Sequence, residues 1–144
     1  MRISKKAEYA LHTVLYLCIH TEQAQQLEKM ADNQGVSKDY LAKVMQRLSG
    51  KGIVKAQPGV GGGYMLAKTP ETITFAEVVG LFENPKNSFS CLYELRDCGA
   101  YPNCAIIDVM NGAVSAFYRE LEKTSFADIL KNAPVVEAMP SWLS

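Results

Sequence analysis

Two short helical patterns joined at a Gly-x-Ser corner, then a glycine-tipped pair of strands, occupy residues 27–67, and this order constrains the fold more than any other feature. The spacing predicts a helix over about 27–34 that ends at Gly35, because the residue past a helix end commonly takes a left-handed backbone that glycine reaches without steric cost. Ser37 is placed to cap the next helix, predicted through about Ser49, and Gly50 and Gly52 stop it. Leu41, Val44, Met45 and Leu48 recur along it at helical spacing and form one apolar face for a core. Two strands are predicted near Ile53–Ala56 and Tyr64–Ala67, joined by the turn PGVGGG at 58–63. Ahead of these, a helix from about Lys5 to His20, capped by Ser4, is apolar on more than one face and should be covered on two sides. Helix, short helix, turn, helix and Gly-tipped hairpin is the order of a winged helix-turn-helix.

In that fold the third helix enters the major groove. Ser37, Lys38, Asp39, Tyr40 and Lys43 on its early exposed face would meet bases or phosphates, with Gln46 and Arg47 further along. Charge agrees with this placement. Net charge is zero, yet residues 1–68 hold ten Lys/Arg against five Asp/Glu, and residues 69–144 hold five against ten. A phosphate backbone attracts the first half and not the second, although small charge blocks are often only solvated faces. The candidate DNA contacts are Arg2, Lys5, Ser37, Lys38, Tyr40, Lys43, Arg47, Gly61, Gly62 and Tyr64.

Further on, Thr74 and Glu77 fit a capping box for a helix from about Phe75 to Glu83, ended by Pro85. A long helix starts near Asn103, with Ile106, Met110, Ala113, Phe117 and Leu121 recurring at three- and four-residue spacing. Such a stripe in a small DNA-binding protein often pairs with its twofold mate. Ser125 caps a last helix over about Phe126 to Lys131, and the tail with Pro134 and Pro140 is expected to be loosely ordered. The fold class is therefore mainly α, a winged helix-turn-helix DNA-binding domain plus a long C-terminal dimerisation helix. The expected boundaries are 1–84 for the DNA-binding domain, 85–104 for a cysteine-containing loop, and 105–144 for the dimerisation helix and tail.

Cys91, Cys98 and Cys104 fall in one non-periodic stretch, CLYELRDCGAYPNC, with five residues between the last two and six between the first two. Thiolates crowded in such a segment usually hold a metal or a cluster. No secretory pattern is present and no apolar run spans a bilayer, which points to a cytoplasmic protein whose cysteines are free, metal-bound or redox-active rather than a disulfide framework. Cys18, inside an apolar helix, reads as a small core residue. Zinc and iron both suit thiolate-containing sets. An enzyme is disfavoured: there is no nucleophile–base pair, and GVGGGY lacks the Lys and the helix that a phosphate loop needs.

The opening MRISKKAEYAL, the helix VSKDYLAKVMQRLSGKGIV, the wing GGGYMLAKTPETIT and the three cysteines together resemble the IscR, NsrR and RsrR family of bacterial winged-helix regulators. The resemblance covers nearly the whole chain. It implies a homodimeric transcription factor, most often a repressor, that binds operator DNA. Many members bind an iron–sulfur cluster and sense nitric oxide, redox state or cluster supply, and some lack a cluster, which leaves a thiol switch or a small effector as the alternative. The redox-responsive RsrR type uses a Glu and a His four residues apart on the first helix. Glu8 and His12 match that spacing and share one helical face. The resemblance thus implies a 2Fe–2S site made of Glu8 and His12 from one subunit and Cys98 and Cys104 from the other. A 4Fe–4S cluster on Cys91, Cys98 and Cys104 plus one further ligand is the less favoured arrangement. A Glu–His pair at this spacing is more commonly a surface ion pair worth a few tenths of a kcal/mol. Relatives often carry an Arg just before the wing glycine. Here Pro58 precedes Gly59, so minor-groove reading by the wing is not expected, Gln57 or Lys55 is left to meet the backbone, and specificity rests mainly on the third helix.

Overall fold

Helix α1 (Lys5–Ile19) is the element against which most of the others pack, as seen in a computed structural model that describes residues 2–84, 99–100 and 103–132. After it come α2 (Leu27–Gln34), α3 (Lys38–Gly50), β1 (Val54–Gln57), β2 (Gly63–Leu66), a 3-10 turn at Pro70–Thr72, α4 (Phe75–Phe82), α5 (Ala105–Glu122) and α6 (Phe126–Lys131). Cys91, Cys98 and the proline-containing tail lie outside the described residues.

Local chemistry explains the boundaries. Ser4 Oγ accepts from the Ala7 N–H at 3.2 Å and Ser37 Oγ from the Tyr40 N–H at 3.2 Å, so each hydroxyl satisfies a donor that the first helical turn leaves open. Gly35 closes α2 with φ 65°, its N–H directed at the Ala31 and Asp32 carbonyls. Ser125 and Asp128 form a complete capping box on α6. The box expected at Thr74 and Glu77 is only half made. Thr74 Oγ1 accepts from the Glu77 N–H at 3.2 Å, but the Glu77 carboxylate pairs with Lys68 instead of turning back to the cap.

The two strands pair antiparallel, Val54 opposite Leu66 and Gln57 opposite Gly63. The hairpin thus runs one residue closer to its tip than expected, while Ile53 and Ala67 stay joined at its base by a 2.9 Å bond from the Ala67 N–H to the Ile53 carbonyl. A second link fixes the hairpin to the end of α1. The Gln25 and Tyr64 backbones exchange two hydrogen bonds of 2.8 Å, and Tyr16 Oη donates to Gln25 Oε1 at 3.1 Å. Gln25 is buried, a polar side chain made tolerable by this bonding.

The core draws on every layer: Val14, Tyr16 and Leu17 from α1, Met30 from α2, the Leu41, Val44, Met45 and Leu48 stripe of α3, Ile53 and Val54 at the hairpin base, Ile73, Val78 and Phe126. Helix α1 is covered on more than one side, as its sequence predicts. Helix α6 belongs to this core, with Phe126 stacked on Phe75 at 4.6 Å between centroids. Helix α5 is different. None of its residues is buried, and Ile106 and Val109 are 67% and 72% exposed. No helix among the described residues is long and apolar enough to cross a membrane.

Gly63 carries the tightest backbone approach at the Gln25 link. It holds φ 151°, and a Cβ there would lie 2.2 Å from the Gln25 carbonyl oxygen. Gly63→Ala should lower stability by about 2 kcal/mol through this clash and the strained backbone, read as a lower urea midpoint with an unchanged slope. A midpoint equal to wild type would remove the link from the account of how the wing is held.

Candidate nucleic-acid interface and cluster-ligand positions

Helix α3 presents two faces fixed by its period. Its apolar stripe is buried, and Lys38, Lys43 and Arg47 are exposed on the other side. Their surroundings differ. Lys43 is exposed. Lys38 pairs with Glu28 of α2, an exposed ion pair of small energetic weight. Arg47 is committed internally: its Nη1 donates to the Leu81 carbonyl at 3.0 Å, and its guanidinium lies 5.6 Å from the Phe82 ring centroid. Tyr40 is half-buried and meets Tyr9 of α1 edge-on at 5.7 Å, so it packs α3 against α1. At the amino terminus Arg2 is exposed, and Lys5 pairs with Glu8 at 2.7 Å. In the wing, Gly61 takes φ 75°, Gly62 donates to the Gly59 carbonyl at 3.0 Å, and Tyr64 is held through its backbone by Gln25.

Glu8 and His12 stand one turn apart on α1, both partly exposed. The Lys5 ammonium, hydrogen-bonded to Glu8, holds that carboxyl below the usual carboxylate range, and the His12 charge adds to the effect. Partial burial pushes His12 below the usual imidazole value, while Glu8 pulls the other way. Each side chain therefore feels the other, as their spacing requires. Cys104 is the N-cap residue of α5, half-exposed, and its side chain makes no capping bond. Among the described residues no three of His, Cys, Asp and Glu converge to hold a metal ion. The donor types nonetheless suit iron: a carboxylate, an imidazole and a half-exposed thiol.

Two positions escaped the sequence analysis. Gln25 falls between the first two predicted helices, and its partner Tyr64 is remote in sequence, so no local spacing marks it. Glu83 was only the last residue of a helix. In the fold its Oε1 accepts from the Ser4 N–H at 2.6 Å, from a residue 79 positions away, and its carbonyl accepts from Tyr118 Oη at 3.1 Å. The last turn of α4, Leu81 to Glu83, thus receives a side chain from α3, a side chain from α5 and the backbone start of α1.

A family described as "Rrf2: Iron-dependent Transcriptional regulator" matches residues 3–132. The chain belongs to the Rrf2 family. Similar proteins include the HTH-type transcriptional regulator NsrR of Bacillus subtilis, 30% identical over 134 residues that make up 92% of each chain. NsrR of Bacillus licheniformis is likewise 30% identical, covering 92% of this chain and 94% of its own. Among solved structures, IscR of T. potens superposes with a TM-score of 0.74 at 24% identity, covering 99% and 96% of the two chains, which supports the winged-helix fold. CymR of B. subtilis, described as the global cysteine regulator, superposes with a TM-score of 0.72 at 25% identity, covering 91% and 97%. This Rrf2 protein is thus a DNA-binding transcriptional regulator with a mainly helical winged-helix fold, and not an enzyme.

The cysteines of this Rrf2 protein are not equivalent. Burial, reinforced by the Glu71 charge, pushes the Cys18 thiol up to about 12. Because the thiolate is the reactive form, Cys18 should resist iodoacetamide at pH 8 while the half-exposed Cys104 reacts. Peptide mass mapping before and after denaturation checks this, and rapid native labelling of Cys18 would contradict its burial.

Proposed function

We propose that this protein is a homodimeric repressor whose grip on operator DNA is governed by an iron–sulfur cluster, held by Glu8 and His12 of one subunit and by Cys98 and Cys104 of the other. The observation that carries the reading is the placement of Glu8 and His12, mutually interacting and partly exposed on one face of α1, in a chain of an iron-dependent regulator family. A 2Fe–2S cluster is favoured over 4Fe–4S because a carboxylate and an imidazole supply the third and fourth protein ligands beside two thiolates. Cys91 is a further candidate ligand. A cluster bound there supplies a centre that responds to electrons and nitric oxide.

The chain's own residues support coupling of such a site to DNA. Ser4 caps the helix that carries Glu8 and His12, and its N–H is held by Glu83. Two residues earlier in the same turn, the Leu81 carbonyl holds Arg47 near the end of α3. A shift of α1 therefore reaches α3 through one short stretch of α4. The exposed apolar residues Ile106, Val109 and Met110 on α5 support a twofold pairing of that helix, which would bring ligands of two subunits into one assembly. In this reading Lys43, with Ser37, Lys38 and Tyr40 nearby, faces the major groove. Arg2, Lys5, Gly61, Gly62 and Tyr64 flank it, and Arg47 acts by orienting α3.

The deciding experiment is anaerobic purification with iron and sulfide analysis and absorbance spectra, repeated on Glu8→Ala, His12→Ala and Cys91→Ala. Glu8→Ala and His12→Ala should each lose or shift the cluster spectrum, while Cys91→Ala keeps it. The reverse pattern, with Cys91→Ala destroying a cluster that survives His12→Ala, assigns the site to the three cysteines. A colourless wild-type protein with little iron leaves the cysteine thiol switch or a small effector, a reading that the similarity to the global cysteine regulator CymR favours.

DNA binding has its own measurement. Lys43→Ala should weaken binding to a duplex selected by the wild-type protein and reduce the slope of log K against log salt by about 0.9 for each subunit that engages, because each subunit loses one phosphate contact. Its cluster spectrum should match wild type. An unchanged slope would remove Lys43 from the phosphate-contacting set.

A further inference from the structure

Helix α4 is built in two unequal parts. Its start is fixed: Thr74 caps it, and Val78 and Val79 are buried in the core. Its last turn, Leu81 to Glu83, is half-buried and takes three attachments from elsewhere in the chain. Arg47 Nη1 of α3 donates to the Leu81 carbonyl at 3.0 Å, and its guanidinium lies 5.6 Å from the Phe82 ring centroid. Tyr118 Oη of α5 donates to the Glu83 carbonyl at 3.1 Å. Glu83 Oε1 accepts from the Ser4 N–H at 2.6 Å.

Gly80 separates the two parts. Glycine is among the poorest helix formers, because it has the most backbone freedom to lose. Packing does not demand it here. Its backbone is helical, and among the described residues a Cβ added to it would meet only Tyr118 Cε1, at 3.7 Å, an ordinary van der Waals contact. The residue that weakens α4 thus stands directly before the turn that three other segments hold. It also lies against the ring of the tyrosine whose hydroxyl closes that turn. Helix α5 itself has no buried residue, so this hydroxyl bond is one of few directional ties that seat it.

We infer that Tyr118 is a positioning residue for DNA binding: from α5, its hydroxyl firms the weak last turn of α4, and that turn orients Arg47 and with it α3. The Leu81 carbonyl and the Phe82 ring form one surface for the Arg47 side chain, two residues and one residue before the carbonyl that Tyr118 holds. Without the tether, the turn after Gly80 samples more orientations. Part of the free energy of DNA binding then goes into ordering it. Helix α5 thereby tunes operator affinity with no DNA contact of its own. This route differs from the one through α1. It needs neither Glu8 nor His12, and it holds whatever group the cysteines carry. It rests only on DNA binding by the chain.

The test is fluorescence anisotropy with the full-length protein on a duplex selected by the wild type, at a temperature well below every variant's melting point. Tyr118→Phe keeps the ring and removes one hydrogen bond. It should weaken binding by about threefold to tenfold, with the slope of log K against log salt unchanged. Arg47→Met should do the same, and the double variant should bind no more weakly than the worse single one, because both act on one turn. Tyr118→Phe combined with Lys43→Ala should instead be additive. Gly80→Ala should raise the melting temperature by about 3 °C and recover most of the affinity that Tyr118→Phe loses, since alanine stiffens the turn that the hydroxyl otherwise holds. The assignment is overturned if Tyr118→Phe binds as wild type, adds fully to Arg47→Met, or keeps its whole loss in the Gly80→Ala background. A reduced salt slope in Arg47→Met makes that arginine a phosphate contact and also breaks the route. If the wild-type protein binds no duplex, the regulator reading itself falls and this inference with it, an outcome distinct from failure of the variants.

Discussion

Everything in this fold hangs on the burial of α1. Ala7, Ala10 and Val14 are fully buried and small enough to let neighbouring helices approach closely, while Tyr16 and Leu17 fill the space further along. At about 25 cal/mol per Å² of apolar surface, a helix covered on several sides outweighs its own modest propensity by a wide margin. The partners it gathers are α3, α4, α6 and the second strand of the hairpin. The surface left over is a narrow half-exposed strip, and Glu8 and His12 stand on it. The element that holds the core together is thus also the one that carries the two candidate ligand positions.

Most of the winged-helix unit was legible in the sequence because its signals are local. Ser4, Ser37 and Ser125 announce helix starts through hydrogen bonds that span three residues, and Gly35 announces an end through its own backbone angle. The α3 stripe is a period that any reader can count. Where the reading slipped, a longer-range interaction had intervened. Glu77 left its expected cap for Lys68. The hairpin moved one residue toward its tip. Arg47 stays on the exposed face, as its spacing predicts, and also reaches a carbonyl and an aromatic ring on α4, partners that no spacing within α3 could reveal.

The candidate site was legible only in part, and for the same reason. Glu8 and His12 were visible because a four-residue spacing on one helix is a local fact. Cys18 was separable from the other cysteines because its neighbours in sequence are apolar, and its buried thiol agrees. Gln25 and Glu83 were invisible. Both combine backbone bonds with one side-chain oxygen that accepts from α1 or its cap, and their importance comes from what the fold brings to them. The joint at the end of α4 unites three helices through carbonyls and one carboxylate, and such joints leave no compositional trace.

The uneven support of α5 has a mechanical meaning. Its carboxy-terminal half is fastened, by Tyr118 to Glu83 and by the core-embedded Phe126 just beyond its end, whereas Ile106, Val109 and Met110 at the other end touch little. The helix is a lever with its pivot near Tyr118 and Cys104 at the tip of the long arm, about 20 Å away at 1.5 Å per residue. A tilt of a few degrees at the pivot carries Cys104 through about an ångström or more, and the same leverage in reverse turns a small displacement at the cysteine into torque on the last turn of α4.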